Sequence, residues 1–221
     1  MAGVSGARRR TAILISGRGS NMAALLSAAA DPGFPAEIVL VLSNKPAAGG
    51  LARAAEAGIP TAVVESRPFG RDRAGFERAM EAAMAEHGVE LIALAGFMRV
   101  LTEDFVNRWS GRMVNIHPSL LPSFPGVDTH ARALAAGVRL HGCTVHLVTP
   151  GVDEGPIIAQ AAVPVLPDDT EDTLGARVLE QEHILYPAAL ALVAAGRVRV
   201  EEGRAVIEAA APSATVLRNP G

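Results

Sequence analysis

The chain has 221 residues, 49% of them apolar, one cysteine and a formal charge of −3. That length suits one large α/β domain or two small ones, and this much apolar material can fill a sizeable core. The mild charge argues against a nucleic-acid surface, Cys143 alone allows no internal disulfide and fits a reduced, cytoplasmic setting, and each apolar run is cut by Gly, Pro or charge well short of a membrane span.

The opening residues are rich in Gly and Ala and carry Arg8-Arg9-Arg10, so residues 1–10 read as a disordered tail. The apolar segment after them is too short for a signal-peptide core. "TAILIS" (Thr11–Ser16) predicts the first strand, followed by a Gly-rich turn and the helix former "MAALLSAAA". "AEIVLVLS" (Ala36–Ser43) is a second buried strand, "GGLARAAEAG" a helix stopping at Gly58, and "TAVVE" a third strand. Helical spacing runs from Arg71 to His87, with Phe76, Met80 and Met84 on one stripe; "ELIALAG" and "RMVNIH" are the fourth and fifth strands. Strands this apolar on both faces, alternating with helices, predict an open, mostly parallel twisted sheet with helices on both faces. From Gly142 the pattern changes. "CTVHLV" and "PIIAQAAVPV" read as strands with no full helix between them, which predicts an antiparallel extension in the C-terminal third. Leu174–Ala194 is a last helix, interrupted near Pro187, and "RVRVEEGRAVIE" looks like a hairpin. With no linker in view, residues 11–203 are expected to form a single domain, followed by a C-terminal hairpin and tail over 204–221.

Several stretches carry chemistry. "SGRGSNM" joins a strand to a helix, and its successive N–H groups with the helix dipole make an anion site. It is not a dinucleotide fingerprint, because Met22 stands where the third glycine belongs and the second strand ends in Ser43-Asn44-Lys45 without an acid. No Gly-Lys-Ser/Thr follows, so it is not a P-loop. Either Ser20 and Asn21 serve a phosphate cradle or they merely cap the helix; the motif alone does not decide. Asn115 and His117, two apart on a strand, point to one face, and "PSLLPSFPG" stiffens the exit. A lone histidine at a strand end is commonly a satisfied core residue. Here the partner amide and the rigid exit favour two donors converging on an oxyanion. "TPGVDEGP" (Thr149–Pro156) is a shaped loop whose Asp153 would orient an imidazolium nearby, or is a solvated acidic turn. "HGCTVH" invites a metal reading, but strand alternation puts Cys143 and His146 on opposite faces, so metal is discounted. Ser119 lacks a G-x-S-x-G context. "GFMRVL" either edges a flat heterocycle, with Met98, Val100 and Leu101 as an apolar wall, or is an ordinary connection. Arg73 is either a helix-face ion-pair partner or the contact for an anionic tail.

Taken together, "ISGRGSN", "SNKP", "LAGFMRVL", "NIHPSLLPSFPG", "HGCTVH", "GVDEGP" and "QEHILYP" resemble the phosphoribosylglycinamide formyltransferase family, folate-dependent enzymes of purine synthesis. The resemblance covers roughly Thr11 to Gly203. It implies a Rossmann-like formyltransferase fold, an N-terminal half for the ribonucleotide and a C-terminal half for folate and catalysis. It implies that Gly19, Ser20 and Asn21 hold the ribonucleotide phosphate with Glu182 on the ribonucleotide side, and that Asn115, His117 and Asp153 are catalytic. Arg73 would meet the folate tail, and Met98, Arg99, Val100, Leu101, Asn115 and Thr149, with the loop to Asp153, would line the pterin pocket. "SRPFGRDR" is one residue longer than the family pattern, which leaves Arg71 competing with Arg73. The implied reactants are 10-formyltetrahydrofolate and glycinamide ribonucleotide, without metal, nucleic acid or membrane, in a cytoplasmic monomer or homodimer. Rivals are a formyltetrahydrofolate hydrolase, expected to carry an N-terminal regulatory domain, another 10-formyltetrahydrofolate-dependent formyltransferase such as the methionyl-tRNA enzyme, expected to carry a C-terminal RNA-binding domain, and a nucleotide-binding module without catalysis. Residues 1–10 and 195–221 are too few for either extra domain.

Overall fold

The computed structural model describes residues 7–208. In β1 (Arg9–Ile15) the apolar side chains divide by parity: Ile13 and Ile15 enter one core, Ala12 and Leu14 the other. A strand buried on both faces needs a layer on each. One layer comes from α1 (Ser20–Ala29), α2 (Gly49–Glu56) and, later in the chain, α6 (Glu171–Ala194), through Met22, Leu25, Ala54, Val178 and Leu190. The other comes from α3 (Arg73–Glu86) and α4 (Glu103–Arg108), through Phe76, Met80, Met84 and Phe105.

Between these layers lie β2 (Ala36–Ser43), β3 (Thr61–Val63), β4 (Leu91–Leu94), β5 (Met113–His117), β6 (Leu140–Leu147) and β7 (Ile157–Pro164), with α5 (Thr129–Ala135) joining β5 to β6. The seven-stranded sheet has the order β3-β2-β1-β4-β5-β6-β7. The first five strands run parallel, while β6 lies antiparallel to β5 and β7 antiparallel to β6. The mostly parallel sheet with helices on both faces and an antiparallel extension is as the sequence pattern predicts. The order reverses at β1, where the chain steps first to β2 and later to β4, and crevices open beyond strand ends at such a point. A hairpin of β8 (Val198–Glu201) and β9 (Arg204–Ile207) follows α6. No helix of the described residues is long and apolar enough to cross a membrane.

Several boundaries differ from expectation. The first strand starts at Arg9, not Thr11, because its backbone finds partners: Arg9 N donates to Pro35 O (2.8 Å) and Glu90 N to Arg10 O (2.7 Å). The Arg8 guanidinium donates to Ala29 O and Ala36 O at 2.5 and 2.7 Å. Arg8–Arg10 therefore belong to the fold rather than to a tail; of the rest of the expected tail, Ala7 is exposed and residues 1–6 lie outside the described residues. The last helix is not interrupted at Pro187. That proline costs about 3 kcal/mol in a helix interior, and the packing on either side offsets it: Tyr186 is fully buried and donates from its hydroxyl to Leu94 O (2.9 Å). The helix also begins three residues before Leu174, on a Thr170 cap paired reciprocally with Thr173. The short helices α4 and α5, six and seven residues long, give too little periodicity to read from sequence. The expected tail beyond Glu208 falls outside the described residues.

Candidate functional site

Two cavities open at the strand ends. The smaller, about 350 Å³, is lined by Ser16–Asn21, Lys45, Ala95, Gly96 and Met98. Its floor is the Gly-rich turn. Gly19, at φ +72°, is the residue before α1, and no side chain caps the first-turn N–H groups. A β-carbon on Gly19 would sit 3.0 Å from Gly50 Cα, and Gly50 N donates to Gly17 O (3.1 Å), so the start of α2 is packed directly on the turn. Neither Ser20 nor Asn21 takes the capping role. Ser20 is the first helical residue, and the Asn21 amide donates to Glu182 Oε2 at 2.6 Å, across 161 residues of sequence. Uncapped N–H groups at the positive end of a helix leave the turn suited to an anion. Glu182 is buried, and that burial raises its carboxyl above the usual range despite the Asn21 bond.

The second cavity, about 640 Å³, abuts the first through Gly96 and Met98. Asn115, His117 and Asp153 all line it, as do Met98, Arg99, Val100, Leu101 and Thr149. Met98 and Val100 stand 67% and 61% exposed and form an apolar wall. Arg73 opens α3 and its guanidinium reaches Val100 O (3.4 Å), whereas Arg71 lies in the turn before the Asp72 cap. Arg73 thus lies beside Val100, which lines this cavity.

Asn115 and His117 share a face of β5, and the antiparallel register sets His146 opposite Asn115 and Thr144 opposite His117. Asn115 Nδ2 lies 3.2 Å from His146 Nε2, and His146 Nδ1 lies 2.9 Å from Leu147 O. Burial holds His146 below the ordinary imidazole range. A neutral ring donates Nδ1–H to the carbonyl and accepts the Asn115 amide at Nε2. That fixes the amide's orientation and leaves one N–H of Asn115 for a ligand. His117 is buried, with Nε2 3.0 Å from Phe124 O and Nδ1 3.4 Å from Asp153 Oδ2. Both nitrogens thus meet acceptor oxygens, an arrangement that an imidazolium satisfies with two N–H groups. Gly126 N donates to the same Asp153 oxygen (2.8 Å), so the carboxylate also ties the Pro-rich loop. Phe124 and Asp153 both hold left-handed backbone, at φ 55° and 57°. Such strain at non-glycine residues persists where the surrounding structure over-determines it.

The prolines do not stiffen the loop alone. Thr144 Oγ1 donates to Ser119 O (2.7 Å) and accepts from Leu121 N (3.0 Å), while Gln160 Nε2 donates to Leu121 O (2.9 Å). His146 lines this cavity beside Asn115 although neither its motif nor the resemblance assigns it a role. Cys143 does lie on the opposite side, in the core, where burial pushes its thiol up to about 12. Among the described residues no three of His, Cys, Asp and Glu group as metal ligands.

Behind the loop, His141 is 1% exposed, with Nε2 3.1 Å from His130 Nδ1 and its ring edge-on to Phe124. Burial, then the neighbouring His130, lowers it to about 4. The folded protein therefore refuses a proton that the unfolded chain accepts below about pH 6.5, and stability drains as pH falls from there through about 4. In urea melts, His141→Asn should show a shallower loss over this window than the parent; an identical slope would remove His141 from the acid response.

A family model described as formyl transferase matches residues 9–190. The chain is 42% identical over 196 residues to phosphoribosylglycinamide formyltransferase of Escherichia coli (strain K12), covering 89% of this chain and 92% of that protein. It is 52% identical over 193 residues to the trifunctional purine biosynthetic protein adenosine-3 of Gallus gallus, covering 87% of this chain but 19% of that protein, so it spans about a fifth of such relatives. Among solved structures, glycinamide ribonucleotide transformylase 1 from Symbiobacterium toebii aligns with a TM-score of 0.88 at 42% identity, over 92% of this chain and 95% of that one. A formyltetrahydrofolate deformylase from Pseudomonas putida aligns with a TM-score of 0.81 at 30% identity, over 90% of this chain and 70% of that one. By the extent of the family match and of the Escherichia coli alignment, this chain belongs to the formyl transferase family.

Proposed function

We propose that the chain transfers the formyl group of 10-formyltetrahydrofolate to the amine of glycinamide ribonucleotide, giving formylglycinamide ribonucleotide and tetrahydrofolate, in de novo purine synthesis. The observation that carries this reading is the junction of an anion cradle with an apolar cavity, with Asn115, His117 and Asp153 on the wall of the larger one. In this reading Gly19, Ser20 and Asn21 receive the phosphate, and Glu182, braced by Asn21, serves the ribonucleotide. Met98–Leu101 and Thr149 bound the pterin, and Arg73 meets the folate's anionic tail. In this reading the smaller cavity draws on the N-terminal half alone, from Ser16 to Met98, and the larger on both halves, from Leu94 to Glu171.

The glycinamide amine attacks the formyl carbon. The carbonyl π pair moves to oxygen, and the free N–H of Asn115, with the His117 Nε2–H turned from the Phe124 carbonyl to the substrate, holds the developing oxyanion. Collapse of the tetrahedral intermediate breaks the bond to the folate nitrogen, which takes up the proton that the attacking amine gives up. Asp153, 3.4 Å from the imidazole, orients His117 and faces its charge. No covalent enzyme intermediate and no metal step are required.

Hydrolysis of the formyl donor is the chemical alternative, with water in place of the amine. Following folate absorbance with and without the ribonucleotide separates the two: deformylation only when the ribonucleotide is present supports transfer, and deformylation without it contradicts it. Loss of one oxyanion donor costs about 10²–10³ in kcat, so His117→Ala should fall at least that far with both KM values nearly kept. A His117→Ala enzyme within about tenfold of the parent would remove His117 from the oxyanion site.

A further inference from the structure

The wall of the folate cavity raises a mechanical question. Residues 97–102 lie in neither helix nor strand, and two of their side chains, Met98 and Val100, point largely into solvent. Packing anchors only Phe97 and Leu101, and the exposed stretch between them touches Arg73 through Val100 O (3.4 Å), so the course of the wall leans on polar contacts at its ends. At the entry, Met98 N donates to Ser16 Oγ (2.8 Å), and that buried hydroxyl donates in turn to Asn44 Oδ1 (2.6 Å). At the exit, Thr102 N donates to Glu77 Oε1 (2.5 Å) and Thr102 Oγ1 donates to Glu77 Oε2. Thr102 also caps α4 by accepting from Phe105 N (3.3 Å).

Glu77 is out of place by every local rule. It stands three residues before Met80 and seven before Met84, on the stripe that α3 turns toward the core, and it is 1% exposed. Among the described residues no Lys, Arg or His lies within ion-pair distance of its carboxylate. A buried carboxylate without a cation is costly, whereas a leucine there would pack at no such cost. Both of its oxygens are spent on one residue, and that residue ends the cavity wall. Charge-assisted hydrogen bonds are about twice as strong as neutral ones, which suits a clamp.

We infer that Glu77 is a positioning residue for the folate pocket, fixing the Met98–Leu101 wall through Thr102. This deepens the function proposed above and rests on it. Glu77→Gln keeps the volume but loses the charge and one acceptor. Glu77→Leu removes the clamp while completing the apolar stripe, and leaves Thr102, only partly buried, to bond water. Both should raise the KM for 10-formyltetrahydrofolate about tenfold, a change of ~1.4 kcal/mol, with kcat and the ribonucleotide KM nearly unchanged. Glu77→Leu should melt no lower than the parent, which separates positioning from folding. Thr102→Val removes the hydroxyl bond but keeps the backbone N–H on Glu77, so it should raise the folate KM less than Glu77→Leu, and the double variant Glu77→Leu/Thr102→Val should be little worse than Glu77→Leu alone. A folate KM unchanged in both Glu77 variants, or kcat and both KM values moving together, would overturn the inference. Calorimetric titration with tetrahydrofolate gives an arm independent of turnover. Weakened binding in both variants supports the clamp even if the parent transfers no formyl group, a result that would sink the proposed activity alone; unweakened binding sinks the clamp.

Discussion

The register of β5 against β6 is the constraint on which the site depends. Asn115 faces His146 and His117 faces Thr144 only in this antiparallel alignment. A slip of one residue would send His117 and Asn115 to the opposite face of the sheet, into the core that Cys143 and Val145 occupy. The fixed register converts one strand and its neighbour into a frame with three jobs. It orients the Asn115 amide through His146, holds the Pro-rich loop through Thr144, and sets His117 between the Phe124 carbonyl and Asp153. Positioning at the candidate site is a consequence of sheet pairing, and the apolar parity of the same strands is what makes that pairing unique.

Around this frame the polar groups that the fold buries share a pattern. Ser16, Asn44, Glu77, His117, Ser119, Thr144, His146 and Glu182 are all buried. Several hold irregular backbone as well as another side chain: Ser16 at Met98, Glu77 at Thr102, Thr144 at Ser119 and Leu121. Loops that carry function lack ladder bonds of their own, so their exact course must be imposed by side chains from rigid elements. The desolvation cost of these groups, offset by their hydrogen bonds, supplies precision at the strand ends where the two cavities meet.

Much of this was legible in the sequence, for physical reasons. Burial of "TAILIS" and "AEIVLVLS" on both faces, and the helical stripe of Phe76, Met80 and Met84, follow from elementary geometry and survive in the structure. Asn115 and His117 sharing a face is the same geometry at shorter range. Pairings across long separations were not legible. Asn21 meets Glu182 across 161 residues, and Asp153 reaches both Gly126 and His117 only because β6 returns antiparallel. His146 required the strand register. Glu77 did carry a local signal, a carboxylate on an apolar helical stripe, which is overlooked when only the apolar members are counted. Pro187 misled because packing around Tyr186 outweighs a local helix breaker.

The central claim is that Asp153 works through His117 as one unit rather than as a second, separate contributor. A double-mutant cycle on kcat tests it most directly, using His117→Ala, Asp153→Asn and their combination, with folding of each checked by thermal melting. Groups that act together are strongly non-additive. The account predicts that the double variant is little slower than the slower single one. Losses that multiply would show Asp153 acting independently of the imidazole, and would contradict the arrangement of charge and donors described for this site.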